Sequence, residues 1–278
     1  MMLADILDLA AHGADVYVGT GPTYPWGGLY GGQIVAQALQ AATLTVDDPD
    51  LKVHSLRSYF IRRGEQTEPV RYEVDRLRNG RSFCTRRVVA RQAVGAILNL
   101  EASFQRAEPS ADIETITKPG PLPDPDALEG TSWSTTFLRR FVEKSALSDG
   151  ERDGSGRAAA FLRVVEDLPD ERLWAPSLAY LSDDLPTDAV VRAHPLGRET
   201  EETIYANMFS ASLDHTIWFH RLRSPAEWQL HDFSCHTFVG GRGLSIGHVF
   251  AVDGTHVATI AQEVLLRDQR ERHLDATS

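Results

Sequence analysis

Cysteine is nearly missing from this chain: Cys84 and Cys235 are the only two among 278 residues. Two thiols cannot build a disulfide scaffold, and neither stands at metal-ligand spacing from the other, so a reducing compartment, the cytoplasm, is expected. Long apolar runs are lacking as well, none approaching the roughly 18 residues that span a bilayer. Met1 to Gly19 shows no basic start followed by an apolar core, so neither export nor membrane insertion is expected. Positive charge is scarce, with 28 Lys and Arg against 39 Asp and Glu and a net charge of -11. That balance argues against nucleic acid or an anionic membrane as the main partner.

What is present suits a folded protein of about two ordinary domains, since 42% of the residues are apolar and 24% charged. The basic residues are concentrated. Leu51 to Arg91 carries Lys52, Arg57, Arg62, Arg63, Arg71, Arg76, Arg78, Arg81, Arg86, Arg87 and Arg91, which reads either as a local pocket for an anionic ligand or as a solvated strand face.

Leu29 to Ala42, LYGGQIVAQALQAA, has only Gln33, Gln37 and Gln40 as strongly polar positions. A helix apolar almost all round must be enclosed by other structure. Four short runs rich in β-branched and aromatic residues follow, at Val53 to Ile61, Val70 to Leu77, Ser82 to Arg91 and Ala96 to Phe104, with Asn79-Gly80 as turn chemistry. Pro109, Pro119, Pro121, Pro123 and Pro125 then mark a linker. Trp133, Phe137, Leu138, Phe141 and Val142 recur at helical spacing and predict a packing helix; Gly150 to Gly156 reads as a polar loop. The pattern returns with a helical segment over Trp174 to Ala189 and strands near Ser212 to His220, Trp228 to Phe238, Leu244 to Val252 and His256 to Leu266. Without gaps, Arg81 in NGRSF matches Arg242 in GGRGL and Glu101 matches Gln262, so the second half repeats the first mainly in its order of elements. The expected division is 1–108, a linker over 109–130, and 131–278, with an α+β fold and neither half stable alone.

Leu29 to Ala42, VHSLRSYFIRRG (Val53 to Gly64), LRNGRSFCTRRV (Leu77 to Val88), LAYLSD (Leu178 to Asp183), SLDHTIWFHR (Ser212 to Arg221) and AQE (Ala261 to Glu263) together resemble the acyl-CoA thioesterase II family over roughly residues 25 to 105 and 175 to 267. The resemblance implies a double hot-dog, two fused repeats each with a central helix wrapped by an antiparallel sheet. It further implies hydrolysis of fatty acyl-CoA to free fatty acid and CoA by a directed water, with acyl-CoA as substrate and a homodimer or homotetramer as the assembly. In that family a carboxylate, a hydroxyl and a glutamine hold the attacking water; by motif these are Asp183, Ser212 and Gln262. The family more often has Thr at the position of Ser212 and can have His at that of Arg57. Gly31 and Gly32 are candidates for oxyanion or substrate binding through helix-start amides, or simply allow close packing. No metal or cofactor is needed, because a thioester carbonyl is already electrophilic. Trp26, Tyr30, Tyr59, Phe60 and Trp218 are candidates for an acyl tunnel or for the core.

Competing patterns are weaker. Gly243-Leu244-Ser245-Ile246-Gly247 matches the G-x-S-x-G nucleophile elbow, but the chain after Ser245 reads as a hairpin turning at Asp253-Gly254 rather than as a helix. His215 and His220 fall on opposite faces of a strand and cannot easily share an ion. Asp214 shares a face with Ser212 if the strand is regular and is the second-choice carboxylate; a bulge would remove it. A hot-dog hydratase or dehydratase would pair His with a carboxylate in the helix motif, which neither copy shows. A catalytically silent acyl-CoA-binding protein is the other alternative.

Overall fold

The computed structural model describes residues 1–147 and 156–270. Its first half runs α1 (Leu3–Leu7), β1 (Ala10–Ala11), β2 (Val16–Gly19), α2 (Gly31–Leu44), β3 (Leu51–Phe60), β4 (Val70–Asn79), β5 (Phe83–Gln92) and β6 (Gly95–Arg106). The second runs β7 (Phe137–Phe141), β8 (Arg157–Val164), α3 (Trp174–Ser182), α4 (Pro186–Ala193), α5 (Glu201–Asn207), β9 (Met208–Ser212), β10 (Asp214–Phe219), β11 (Gln229–Val239), β12 (Arg242–Ala251) and β13 (His256–Asp268). The eight strands expected from the sequence are present with ends moved by a few residues. The loop expected at Gly150 to Gly156 lies, apart from Gly156, outside the described residues.

The strands form one antiparallel sheet in the order β1-β2-β4-β5-β6-β3-β10-β13-β12-β11-β8-β7, with β9 also on β13. The order β2-β4-β5-β6-β3 on one side is mirrored by β8-β11-β12-β13-β10 on the other. The seam between the repeats pairs β3 with β10, Arg57 opposite Thr216 and Ser58 opposite His215. One hydrophobic core joins residues of both repeats, with α2 packed on α3.

Helix α2 is enclosed as its composition demands. Val35, Ala36, Ala38, Leu39, Ala41 and Ala42 are completely buried, and so are Gln33 and Gln37. A buried carboxamide must be paired. Gln37 Nε2 donates to the carbonyls of Ile6 (2.7 Å) and Thr20 (2.8 Å), its Oε1 accepts from the Tyr72 hydroxyl at 2.7 Å, and Tyr24 donates to Gln33 Oε1 at 2.6 Å. At the other end of α2, the buried Arg86 donates to the Thr45 carbonyl at 3.1 Å and to its hydroxyl at 2.8 Å. A cation there complements the negative end of the helix dipole.

The packing helix expected around Phe137 is instead strand β7, paired with β8 from Phe137↔Val164 to Phe141↔Ala160. The helical spacing of its aromatics is coincidental. Upstream, Ser132 Oγ donates to the Ser134 carbonyl (2.9 Å), and the Ser134 and Thr136 hydroxyls bond each other (2.7 Å), local bonds that compete with a helical ladder. The single helical segment expected over Trp174 to Ala189 is also divided, α3 ending at Ser182 and α4 starting at Pro186. Proline fits that first position because it has no amide hydrogen to leave unpaired. Between the two helices stand Asp183, Asp184 and Leu185.

Candidate active site

The break between α3 and α4 places Asp183 at the C-cap of α3, facing the first turn of α2. Asp183 is only 8% exposed. Its Oδ1 accepts from Gln262 Nε2 at 2.9 Å and from the Ser212 hydroxyl at 3.1 Å, while Gln262 Nε2 also reaches Ser212 Oγ at 2.8 Å. Three residues 29 to 79 positions apart in pairwise separation thus close a triangle. Burial pushes the Asp183 carboxyl up to about 6; the bonds from Gln262, Ser212 and the Gly32 amide hold it down, and the neighbouring Asp184 raises it. A carboxylate so poised is ionised at neutral pH yet basic enough to take a proton.

Gly31 and Gly32 open α2 and allow this approach. A Cβ on Gly31 would lie 2.5 Å from Asp183 Oδ2, and one on Gly32 would run into the Tyr180 carbonyl. The Gly32 amide is a partner of Asp183; amides of a first helical turn have no acceptor within the helix.

Asp214 is drawn away by the bulge that would disqualify it. Between Ser212↔Val264 and Thr216↔Ala261, four steps along β9 and β10 face three along β13. Asp214 Oδ1 accepts from the Glu263 amide at 2.7 Å, so it serves the backbone at the bulge. Ser245 is a β12 strand residue opposite Gln262, completely buried, and its hydroxyl has no partner among the described residues. The chain runs on from it along β12 to Ala251 rather than turning into a helix, unlike a nucleophile elbow.

The aromatic candidates divide. Tyr30 stacks edgewise against Trp26, Trp133 and Tyr180 at 6.0, 5.0 and 5.1 Å, and Phe60 lies against Gly31. Tyr59 is 65% exposed, and Trp218 lies beneath the Arg57 guanidinium, 5.7 Å away. The first group walls the neighbourhood of Asp183; the second faces outward because strand neighbours alternate. Trp133 donates to Asp184 at 2.6 Å and Arg139 at 3.0 Å, anchoring the second carboxylate of the break.

Four of the eleven basic residues of Leu51 to Arg91 are engaged in surface ion pairs. Arg71 and Arg91 meet Glu73, Arg76 meets Asp15 and Asp47, and Arg87 meets Asp75. Among the described residues no group of three or more His, Cys, Asp or Glu side chains is arranged to hold a metal. His215 and His220 do separate to opposite faces, His215 completely buried and His220 bonded to the Thr259 hydroxyl at 3.0 Å.

The sequence considered His215 only as a possible ligand, yet it touches the trio directly. Its Nδ1 makes a very short hydrogen bond with Gln262 Oε1, and its Nε2 lies 2.8 Å from the Ser182 hydroxyl. Burial lowers its pKa to about 4, the bond to Gln262 acting in the opposite direction. Its odd spacing from His220 says nothing about a partner 47 residues away.

Fold and site together define a hot-dog protein of two fused repeats with one polar trio at the junction of their central helices. The sequence matches the family descriptions "Acyl-CoA thioesterase N-terminal domain" over residues 20–105 and "Acyl-CoA thioesterase C-terminal domain" over 114–266. The chain belongs to the acyl-CoA thioesterase family. It is 32% identical to acyl-coenzyme A thioesterase 8 of Mus musculus, over 96% of this chain and 89% of the relative, and 30% identical to acyl-CoA thioesterase 2 of Haemophilus influenzae, over 86% and 87%. The crystal structure of an acyl-CoA thioesterase II TesB2 from Mycobacterium marinum superposes with a TM-score of 0.83 at 33% identity, covering 96% of this chain and 97% of that one. A hot-dog protein of unknown function from Alicyclobacillus acidocaldarius superposes at 0.74 with 20% identity, covering 95% and 97%, and speaks for the fold alone.

Proposed function

We infer that this protein hydrolyses acyl-CoA thioesters by directing a water with Asp183, Ser212 and Gln262. The observation that carries the mechanism is the Asp183 carboxylate, buried, raised to about 6 and fixed through Oδ1 by both partners. With Oδ1 engaged by both partners, Oδ2 on the side of Gly31 is the proposed proton acceptor for the attacking water. As that water attacks the thioester carbonyl, Asp183 takes its proton; the tetrahedral intermediate then collapses with cleavage of the C–S bond, and the CoA thiolate departs and receives the proton. The Gly31 amide at the positive end of α2 is the proposed oxyanion donor.

The proposed substrate is a fatty acyl-CoA, released as free fatty acid and CoA, and the cluster of Tyr30, Trp26, Trp133 and Phe60 is the proposed wall for its acyl chain. The proposed division of the chain is 1–108, 109–130 and 131–278, its assembly a homodimer or homotetramer, and its location the cytoplasm; both cysteines being free thiols supports the last. Among the described residues, no helix is long and apolar enough to cross a membrane. Thiol release by the purified protein across a panel of acyl-CoA chain lengths tests the activity. Tight binding of every acyl-CoA with no thiol released by any would make it a silent binder instead.

A further inference from the structure

His215 lies outside the trio but is bonded to one member of it, Gln262. The Asp183 carboxylate can only accept, so the end of Gln262 that meets it at 2.9 Å is the amide nitrogen. Gln262 Oε1 must then point to His215 and needs a donor there, which only an Nδ1–H supplies. Both side chains are completely buried, and burial keeps the imidazole neutral. A neutral ring with its hydrogen on Nδ1 has a lone pair on Nε2, so the Ser182 hydroxyl, 2.8 Å away, donates to it. Ser182 has a competing acceptor in the Ala179 carbonyl at 3.0 Å; only its bond to His215 satisfies the ring.

We propose that His215 is a positioning residue for thioester hydrolysis, held by Ser182 as the Nδ1–H tautomer so that the Gln262 amide nitrogen stays turned to Asp183 and Ser212. The hydrogen-bond direction runs one way, from Ser182 to His215 to Gln262 to Asp183. Reversing the ring tautomer would set two lone pairs against each other at Gln262 Oε1 and free the carboxamide to turn. Asp183 would then lose a donor that stabilises its charged form, and its carboxyl would move upward. The ionisable group at the end of this chain of bonds is Asp183, with Asp184 beside it and the Tyr30 phenol near both; Arg139 engages Asp184. The proposal rests on the reading of Asp183, Ser212 and Gln262 as the water-holding trio.

The test is a set of pH–rate profiles on the full chain with one good acyl-CoA substrate. Asparagine at 215 offers an N–H near the position of Nδ1, whereas leucine offers none. His215→Asn is expected to keep kcat within about threefold, and His215→Leu to lose about 10- to 100-fold in kcat with KM within about twofold, the span of one lost buried hydrogen bond. The acid limb of His215→Leu is expected to move up by roughly one pH unit, and that of His215→Asn to stay in place. A merely structural histidine would change the folded fraction and leave the limb where it was. Should His215→Leu not fold, nitrogen NMR of the wild-type ring at neutral pH decides alone: a protonated Nδ1 with bare Nε2 supports the proposal, and the opposite tautomer overturns it. A folded His215→Leu with wild-type kcat and acid limb, beside an inactive Asp183→Asn, overturns the positioning role and leaves the trio standing. Full activity in Asp183→Asn overturns the trio and the proposal together.

Discussion

The two repeats use the same plan of strand, helix and four strands, yet their central helices differ. In the first, α2 runs 14 residues without a charged side chain, and its buried glutamines are tied to tyrosine hydroxyls and backbone carbonyls. In the second, the helix breaks after nine residues, and two aspartates stand in the gap. Of the eight buried side-chain atoms without a protein partner among the described residues, only Gln40 Oε1 belongs to the first repeat; the others lie on Arg140, Arg163, Ser177, Gln229, His231 and Ser245. Unsatisfied buried polar groups cost stability. The second repeat thus carries most of the unsatisfied buried polar atoms, and among them Ser245 stands opposite Gln262 of the trio.

The sharpest break of this comparison is at the helix gap. Asp183→Asn is expected to lose about 10²–10⁴-fold in turnover, the usual worth of a general base, while Asp214→Asn, whose side chain holds the Glu263 amide, stays near wild type. Stability moves the other way. The folded carboxyl at about 6 binds its proton more tightly than the ordinary value of 3.8, so the native state loses stability as pH rises through that window. Asparagine removes the penalty. At pH 8 the variant is therefore expected to unfold harder by on the order of 1–3 kcal/mol, with the gain fading below about pH 4. Equal melting profiles at both pH values would remove the case for a raised carboxyl.

A pair of glutamines isolates scaffold from chemistry, since Gln37 and Gln262 are both completely buried. Gln262→Met is expected to lower kcat by about 10- to 100-fold, because two donors to the site vanish. Gln37→Met leaves the Tyr72 hydroxyl and two carbonyls without partners and is expected to lower stability by about 1–3 kcal/mol, with kcat per folded molecule unchanged. If both variants lost turnover alike, the division of labour between the repeats would not hold.

Much of this arrangement was legible in the sequence, and the misses have physical causes. The enclosed helix was readable because an all-round apolar face leaves no other placement, and the strands because β-branched runs were bounded by turn chemistry. The Asp183, Ser212 and Gln262 positions came from motif resemblance alone; their triangle could not be read from spacing, since it is closed by the sheet. Strand β7 was missed because Phe137 and Phe141 fit a helical period as well as an edge strand, and local Ser and Thr bonds decided the matter. The basic run left an anion pocket and a solvated face equally open, because the pairs Arg71 and Arg91 with Glu73 and Arg87 with Asp75 depend on strand register, and the Arg76 partners Asp15 and Asp47 lie outside the segment. His215 was weighed only as a metal ligand because its contact with Gln262, 47 residues away, is made by the sheet.

Within the trio, the hydroxyl should count for less than the carboxylate. Ser212→Ala removes one donor to Asp183 Oδ1 and is expected to cost about tenfold in kcat, close to one hydrogen bond to a charged group. Ser212→Thr keeps the hydroxyl and is expected to remain within about threefold of the parent. Steady-state thiol release separates them; a threonine variant as impaired as the alanine one would show that shape, not the hydroxyl, matters at 212.

The smallest effect is expected at Ser245, and it discriminates most between mechanisms. A serine nucleophile would need a base within hydrogen-bond reach and an exposed turn. Ser245 has neither: it lies inside β12, completely buried, with no hydrogen-bond partner among the described residues. It nevertheless stands directly across from Gln262, close enough that a change in bulk would disturb the trio, so alanine rather than a larger residue is the informative substitution. Ser245→Ala is expected to keep kcat within a few-fold and to leave stability unchanged or slightly higher, because an unbonded buried hydroxyl is replaced by hydrogen without breaking any bond. Rapid-quench kinetics of the parent should show no burst of thiol, and mass spectrometry no acyl adduct. An acyl group trapped on Ser245 together with a folded but inactive Ser245→Ala would replace the directed water by a covalent route and make the second repeat's unpaired hydroxyl its centre.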